Sequence, residues 1–232
     1  MNNELKNRVF AHRGIFNNIN IPENSLKAFK KAIDKNIDIE LDIQLTKDKK
    51  IVVFHDYDLK RMTGSDKLLK DLTYNEIQQL KLLNTEEKIP LLEEVLNLVN
   101  GKVLINIEIK NTNKKKETLY LLNCILSNYK GDYIIQSFYI RYLILINKYY
   151  SNYKKGLLIT LPEIILDYVI NSKLFLKLLN LDFIAYNKLL IKNKKVQNIR
   201  RNIPIFAWTI KNNKEKENIE KYADSIIMNI KN

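Results

Sequence analysis

Residues 37–56, IDIELDIQLTKDKKIVVFHD, decide the fold of this chain. The first nine of them alternate between apolar and polar side chains, which is the period of a β-strand. The polar face carries Glu40 and Asp42 side by side, where an ordinary half-buried strand carries threonine or lysine. After a turn the chain returns as an apolar run that delivers His55. Two carboxylates and an imidazole so close together in sequence indicate metal and proton chemistry.

The connection between the two apolar runs holds five residues, 46–50. A parallel crossover needs a dozen or more residues, so the second run is expected to be an antiparallel hairpin partner of the first. With residues 46–50 as the turn, the numbers of paired residues sum to 96, which places His55 opposite Leu41. The hairpin is therefore predicted to bring His55 level with Glu40 and Asp42.

Charge and composition narrow the class of partner. The chain has 232 residues, of which 46% are hydrophobic, and its 39 basic and 26 acidic side chains give a formal net charge of +13. The basic residues are scattered, and clusters such as residues 114–116 and 192–195 lie in polar, helix-like stretches. Because no recognition motif accompanies the charge, we expect a solvated basic surface and no nucleic-acid partner.

The sequence contains no stretch of roughly 18 uncharged apolar residues, the length that a spanning helix needs. The N-terminus also lacks the apolar core of a signal peptide. For a full-length chain we therefore expect a cytoplasmic protein with no transmembrane segment and at most peripheral membrane contact. The single cysteine, Cys124, lies in an apolar run and is expected to be a small buried residue.

Short apolar runs and helix-like segments alternate along the whole chain. Leaving out the hairpin return, strands are expected near residues 9, 38, 104, 134, 157, 183, 205 and 226. Helices are expected after Ser25, within DLTYNEIQQLKLL, within IPLLEEVLNLVNG, and at residues 114–129, 139–150, 162–179, 190–201 and 212–222. This order predicts an α/β fold, a (β/α)8 TIM barrel formed by a single domain over residues 1–232. An open doubly wound sheet would alternate in the same way, but polar residues at several strand ends favour the barrel.

The whole chain has two histidines, His12 and His55, and both stand at the ends of predicted strands. A lone histidine is usually structural, whereas two in such positions favour a functional interpretation. The pair can supply a general base and a general acid. This combination suits displacement at phosphorus, where one group takes a proton and the other protonates the leaving oxygen.

Three carboxylates, those of Glu40, Asp42 and Glu108, would gather at one rim of a barrel. Buried like charges repel, so a cation must neutralise them or solvent must reach them. Oxygen ligands without cysteine indicate Ca²⁺ or Mg²⁺ rather than zinc. A salt-bridge network with Arg13 and Lys110 is the structural alternative, but both side chains also suit phosphate binding, the arginine as a fork and the lysine as a point charge.

Several short motifs stand in the first half of the chain. They are HRG at 12–14, PENS at 22–25, IELD at 39–42, QLTKD at 44–48, VFHD at 53–56 followed by Leu59, Arg61 and Thr63, and IEIK at 107–110. Taken together they resemble the motifs of the glycerophosphodiester phosphodiesterase family. The resemblance is dense from residue 9 to residue 110 and continues more weakly toward the C-terminus.

This resemblance implies a TIM barrel with a small inserted cap over residues 57 to about 90. It also implies hydrolysis of a glycerophosphodiester to glycerol 3-phosphate and an alcohol, through a cyclic phosphate that water opens. One divalent cation, Ca²⁺ or Mg²⁺, would be the cofactor. The implied roles are acid/base catalysis for His12 and His55, metal binding for Glu40, Asp42 and Glu108, and phosphate binding for Arg13 and Lys110.

The chain departs from the family pattern at three places, one of which is Ser25, where threonine is common. The turn at residues 46–50 lacks the glycine that is usual after Asp48, and residues 222–229 lack the Gly-Val-Asp-Gly opening and later proline of the last strand. Preference for the alcohol therefore stays open, and Phe138 and Trp208 are candidates for lining the pocket. A lysophospholipase D acting on lysophospholipids is one alternative, which an apolar cap rim would indicate. A non-catalytic phosphate- or lipid-headgroup-binding barrel is another, but binding alone does not need two titratable histidines.

Overall fold

Nine strands alternate with helices in the computed structural model, which describes residues 3–160 and 178–230. The strands are β1 (Val9–His12), β2 (Asp38–Leu45), β3 (Ile51–Val53), β4 (Ile105–Ile109), β5 (Tyr133–Ser137), β6 (Lys155–Ile159), β7 (Phe183–Asn187), β8 (Ile205–Ile210) and β9 (Ser225–Met228). The helices are α1 (Leu26–Asp34), α2 (Lys60–Thr63), α3 (Tyr74–Ile77), α4 (Leu92–Val99), α5 (Lys115–Leu126), α6 (Ile140–Tyr149), α7 (Lys194–Arg200) and α8 (Asn213–Ile219). Short 3-10 turns occur at Asn3–Leu5, Leu69–Asp71 and Glu220–Tyr222.

The eight barrel strands stand where the sequence predicts them, and β3 is the predicted hairpin return. The predicted fold class, a (β/α)8 TIM barrel with a β-hairpin after its second strand, is therefore confirmed. The helix predicted at residues 162–179 lies almost entirely outside the described residues. None of the helices within residues 3–160 and 178–230 combines the length and the apolar character needed to cross a bilayer.

The chain divides into two compact units, and the single-domain assignment of residues 1–232 stays a prediction. One unit consists of Met1–Phe10 and Ile134–Asn229. In it, strands β5 to β9 pair in sequence order and in parallel. The rings of Phe183 and Phe206 stack with centroids 4.3 Å apart in its core. Gly156 makes room for this packing, because a Cβ there would lie 2.3 Å from the Phe183 ring.

The other unit consists of Ala11–Tyr133 and Ile230–Asn232 and is organised around β2. This strand pairs with β4 in parallel and with β3 in the antiparallel hairpin. The hairpin pairs Ile43 with Val53 and Leu45 with Ile51, so the predicted register, in which pair numbers sum to 96, is confirmed. The ladder ends at Val53, and one more bond, from the Phe54 N–H to the Asp42 carbonyl (2.9 Å), extends it toward the histidine.

The conformation of the hairpin turn shows why a glycine is usual after Asp48 and how this chain closes the turn without one. Lys49 occupies the left-handed region with φ 65°, a conformation that favours glycine. The side chain of Thr46 accepts a hydrogen bond from the Lys50 N–H (2.9 Å), and the Thr46 N–H donates to the Lys50 carbonyl (2.9 Å). These bonds hold the turn closed although a lysine costs about 1–2 kcal/mol there.

The predicted cap follows the hairpin and forms a hydrophobic cluster together with Val52 and Phe54 of the hairpin return. Its buried members are Val52, Phe54, Leu59, Met62, Leu69, Leu72, Ile77, Leu82 and Ile89. The helix predicted within DLTYNEIQQLKLL is shorter than that segment: it ends at Ile77, after which the N–H groups of Gln79 and Leu80 donate to carbonyls only three residues back. The prediction of a buried Cys124 is wrong, since that residue is exposed on α5.

Candidate active site

Sheet register brings three buried carboxylates together in the unit of residues Ala11–Tyr133. Asp42 on β2 pairs with Glu108 on β4, and Glu40 stands two residues earlier on the same face of β2. One ligand oxygen from each of the three lies within 4.8 Å of the other two. Glu40 and Asp42 are each 1% exposed and Glu108 is 7% exposed. The alternation of β2 thus turns its acids toward one enclosed point.

Two cations flank this carboxylate cluster. Lys110 Nζ lies 3.0 Å from Glu108 Oε1 and 3.6 Å from Asp42 Oδ1. On the other side Arg13 Nε lies 3.4 Å from Asp42 Oδ2. Asp42 is therefore the carboxylate that both cations share.

The cations divide the carboxylates into two electrostatic types. Burial acts to raise the pKa of Asp42, but Arg13 and Lys110 outweigh it and lower that pKa to about 2. Burial and the charge of Asp42 raise the pKa of Glu40 well above its ordinary value. The same two causes raise the pKa of Glu108 to about 7. Arg13 and Lys110 thus stabilise the ionised form of Asp42, whereas Glu40 and Glu108 would need a further positive charge nearby to ionise readily.

A left-handed turn after β1 sets the position of Arg13. Arg13 and Gly14 have φ values of 57° and 80°. A Cβ on Gly14 would lie 2.8 Å from the Ala28 carbonyl carbon, so only glycine allows the turn to pack on α1. The turn follows directly on His12, which ends β1.

The hairpin return supplies His55. The Gln44 amide donates to the backbone carbonyls of Phe54 (2.9 Å) and Asp56 (2.7 Å) and so supports the segment that carries the histidine. His55 Nδ1 lies 2.6 Å from Asp56 Oδ1. Burial lowers the pKa of His55 and outweighs the opposing attraction of Asp42, so the imidazole is neutral at pH 7.

Sequence reasoning assigned no role to four residues that contact this site. The Asn24 amide donates to Asp42 Oδ2 (3.0 Å). Glu23 pairs with both Arg13 Nη1 (2.6 Å) and Arg61, and Arg61 in turn pairs with Asp56. All four stand within or just after the motifs quoted above. Their contacts join loops far apart in sequence, so the motif letters alone do not say what each one touches.

The donor set fits a divalent cation. Three carboxylate oxygens in one enclosed cluster are the ligands that Ca²⁺ and Mg²⁺ prefer. The raised pKa values of Glu40 and Glu108 have their causes in burial and mutual repulsion, which a dication between them would relieve. Arg13 and Lys110, beside the cluster, bring positive charge to the place where an anionic substrate would meet the cation.

A cavity of about 520 Å³ adjoins the cluster at Lys110. Its lining is mixed, with Tyr57 and Leu68 from the cap and the basic side chains Lys70 and Lys114. Phe138 and Trp208, predicted candidates for lining a pocket, contact each other edge to face with ring centroids 5.3 Å apart. Their role at the pocket stays a prediction.

This chain is similar in sequence to a known protein family and to individual members of it. The model of the Glycerophosphoryl diester phosphodiesterase family matches residues 12–229. A glycerophosphodiester phosphodiesterase of Bacillus altitudinis is 46% identical over 114 residues, which cover 45% of this chain and 46% of that protein. The chain thus matches about half the length of this curated relative.

Two solved structures match the fold over nearly the whole chain. A phosphodiesterase of Oleispira antarctica, in complex with the product sn-glycerol-3-phosphate, has a TM-score of 0.85 and 21% identity, with 97% of this chain and 94% of that chain covered. A glycerophosphodiester phosphodiesterase of Thermotoga maritima has a TM-score of 0.76 and 29% identity, with 95% and 93% covered.

Proposed function

This chain belongs to the Glycerophosphoryl diester phosphodiesterase family, and on that premise we propose that it hydrolyses glycerophosphodiesters to glycerol 3-phosphate and an alcohol. The Oleispira antarctica structure, which holds that product, supports the proposed substrate class by analogy. The observation that carries the proposal is the cluster of Glu40, Asp42 and Glu108 with a cation on either side. A phosphodiester is an anion, and this arrangement provides positive charge around buried metal-binding oxygens.

The proposed cofactor is one divalent cation, Ca²⁺ or Mg²⁺, held by Glu40, Asp42 and Glu108. When bound, such an ion neutralises charge on phosphate oxygens and lowers the pKa of a coordinated hydroxyl. Arg13 and Lys110 are the proposed phosphate-binding side chains. Both keep their charge at any pH where the enzyme would work, because the nearby carboxylates raise the pKa of each despite burial.

The proposed proton transfers use the two histidines. An attacking glycerol hydroxyl loses its proton to one imidazole as its oxygen bonds to phosphorus, and the other imidazole protonates the departing alcohol oxygen. Water then opens the cyclic phosphate with the two roles exchanged. His55 suits the first proton transfer, because its imidazole is neutral and its Nδ1 is already engaged by Asp56. His12 would then supply the proton to the leaving group.

The cap favours a small water-soluble substrate over a lysophospholipid. Of the four leucines that would form an apolar rim, Leu69 and Leu82 are buried, Leu83 is half-buried and Leu68 is 38% exposed. The cavity beside Lys110 carries polar and basic side chains between its apolar ones. Both features suit a hydrophilic alcohol better than an acyl chain.

The test measures glycerol 3-phosphate released by purified protein from glycerophosphocholine, glycerophosphoethanolamine and glycerophosphoglycerol, and lysophosphatidic acid released from lysophosphatidylcholine as a fourth substrate. Each reaction is run with Ca²⁺, with Mg²⁺ and with a chelator. Turnover of the first three substrates that the chelator abolishes is the expected result. Preference for the lysolipid would favour the lysophospholipase D alternative. Binding of glycerol 3-phosphate without turnover of any substrate would favour a non-catalytic binding protein.

A further inference from the structure

An ion-pair network leads from His55 to Arg61 of the cap and on to Glu23, which also pairs with Arg13. His55 Nδ1 lies 2.6 Å from Asp56 Oδ1, and the other carboxylate oxygen of Asp56 accepts from Arg61 Nε at 2.6 Å. The far side of the Arg61 guanidinium donates to both oxygens of Glu23, at 3.0 Å from Nη1 and 2.7 Å from Nη2. Arg61 is thus engaged on two edges at once, by Asp56 on one and by Glu23 on the other.

The network fixes the proton on the His55 ring. Partial burial acts to raise the pKa of Asp56, but the hydrogen bond from Arg61 outweighs it and, with His55, lowers that pKa. Asp56 is therefore an ionised carboxylate at pH 7, which can only accept hydrogen bonds. Its partner, Nδ1 of the neutral His55, must then carry the ring proton, which leaves Nε2 unprotonated and able to accept one.

The anchor of the network is rigid. Glu23 is 5% exposed and also accepts from Arg13 Nη1 (2.6 Å) and from the Asn18 amide (2.8 Å). Arg61 itself stands on α2, whose neighbouring residue Met62 is buried in the cap cluster. The arginine side chain is 45% exposed and lines a cavity of about 500 Å³. Arg61 thus joins the buried Glu23 carboxylate to the Asp56–His55 pair while remaining partly exposed itself.

We propose that Arg61 is a positioning residue for the reaction: held by Glu23, it keeps Asp56 oriented so that His55 stays in the Nδ1–H tautomer with Nε2 available as proton acceptor. The proposal rests on the proposed phosphodiesterase function of the same site. The cap would then do more than cover the substrate, because one of its residues would orient the side chain that accepts a proton. Loss of the guanidinium is expected to lower kcat and to leave KM nearly unchanged, because Arg13 and Lys110 keep their own contacts.

The kinetic test compares Arg61→Ala with Lys60→Ala, a neighbour on the same helix that pairs with exposed Asp66 outside the network. Arg61→Ala is expected to lower kcat about 10- to 100-fold, the usual effect of removing an orienting partner, and Lys60→Ala to leave it unchanged. Guanidinium ion added at millimolar concentration should restore part of the activity of Arg61→Ala through the open cavity, and ammonium ion should not. If Arg61 acts through Asp56, the double variant with Asp56→Ala loses no more activity than Asp56→Ala alone.

A spectroscopic test separates this proposal from the proposed function. The chain has only two histidines, so ¹⁵N shifts of the ring nitrogens of metal-free protein at pH 8 can be assigned with a His12→Gln variant. We expect one Nδ1–H tautomer for His55 in the parent and in Lys60→Ala, and a mixture with the Nε2–H tautomer in Arg61→Ala. If these tautomers are observed but the parent hydrolyses no glycerophosphodiester, the proposed function is wrong while the effect of Arg61 on the His55 tautomer is supported.

Two results would overturn the positioning role itself. One is a parent protein whose His55 is mainly the Nε2–H tautomer. The other is an Arg61→Ala variant in which both the tautomer and kcat stay as in the parent. Should Arg61→Ala fail to fold, Arg61→Lys provides the same test, since an ammonium group keeps the charge without engaging Glu23 and Asp56 together.

Discussion

The backbone N–H of Arg13 donates a hydrogen bond to Glu40 Oε2 across 3.1 Å. The residue that supplies a proposed phosphate-binding guanidinium therefore also holds a proposed metal ligand. This bond exists because Arg13 and Gly14 turn left-handed directly after β1 and face the amide inward. The geometry of the turn is thus part of the site.

Gly14→Ala is expected to damage both stability and activity. The new Cβ would overlap the Ala28 backbone, in addition to the strain of a left-handed alanine. Gly64→Ala is the matched control, because Gly64 has a similar φ of 77° with no atom within 4 Å of a Cβ. Urea unfolding should show a loss of about 1–2 kcal/mol for Gly64→Ala and about 1–3 kcal/mol more for Gly14→Ala. Equal losses in the two variants would contradict the packing argument.

Glu108→Gln is expected to stabilise the metal-free protein and to abolish its stabilisation by metal. A folded-state pKa of about 7, above the ordinary 4.5, means that the parent loses stability as pH rises from 4.5 through 7. The glutamine stays neutral, so at pH 8 the metal-free variant should be more stable by up to about 3 kcal/mol. Ca²⁺ or Mg²⁺ should raise the Tm of the parent and of the exposed-site control Asp66→Asn, but not that of Glu108→Gln. A metal-induced shift as large as the parent's would remove Glu108 from the proposed ligand set.

Glu23→Gln should destabilise the protein in a pH-dependent way. Burial acts to raise the pKa of Glu23, but hydrogen bonding by Arg61 and the charge of Arg13 lower it to about 2. A depressed folded-state pKa adds stability above the unfolded value of 4.5, and this stability is lost as pH falls toward 2. The parent should therefore exceed the variant by on the order of 2–3 kcal/mol from pH 5 to 7, with a gap that narrows below pH 4.5. A gap that does not depend on pH would show that packing, not charge, is what the glutamine loses.

Substitution of either histidine should abolish turnover without changing the affinity for the metal ion. His12→Ala and His55→Ala are each expected to lower kcat by about 10²- to 10⁴-fold, the usual contribution of a general acid or base. Calorimetric titration with Mg²⁺ should give parent-like affinity, because the proposed ligands are carboxylates on β2 and β4. Near-normal kcat in either variant would refute the acid/base assignment.

The hairpin and its register could be predicted because two local facts determine them. Strict alternation fixes which side chains of β2 share a face, and a five-residue connection forbids a crossover. The pairing of Asp42 with Glu108 is different, since it depends on which strand lies beside β2 and in what register. Both β2 and β4 alternate between apolar and polar residues, which suggests that they line the same site but does not determine their register.

The network of Glu23, Asp56 and Arg61 could not be predicted for a physical reason. Arg61 lies 38 residues from Glu23 in sequence, and it reaches Glu23 only because the cap packs into its hydrophobic cluster with the hairpin return and orients α2. The family resemblance includes Arg61, but charged side chains on short polar helices are usually solvated, so the sequence does not say which side chains Arg61 contacts. Likewise Cys124 reads as buried from its apolar neighbours, although its side of α5 faces solvent.

The seven proposed site residues all come from residues 12–110, within the unit that β2 organises. A ribosome adds about 5–20 residues per second, so the last strand, β9, is completed only on the order of ten seconds after the last of these residues is joined to the chain. A stalled or truncated product that ends shortly after β4 would carry every proposed metal ligand and both histidines.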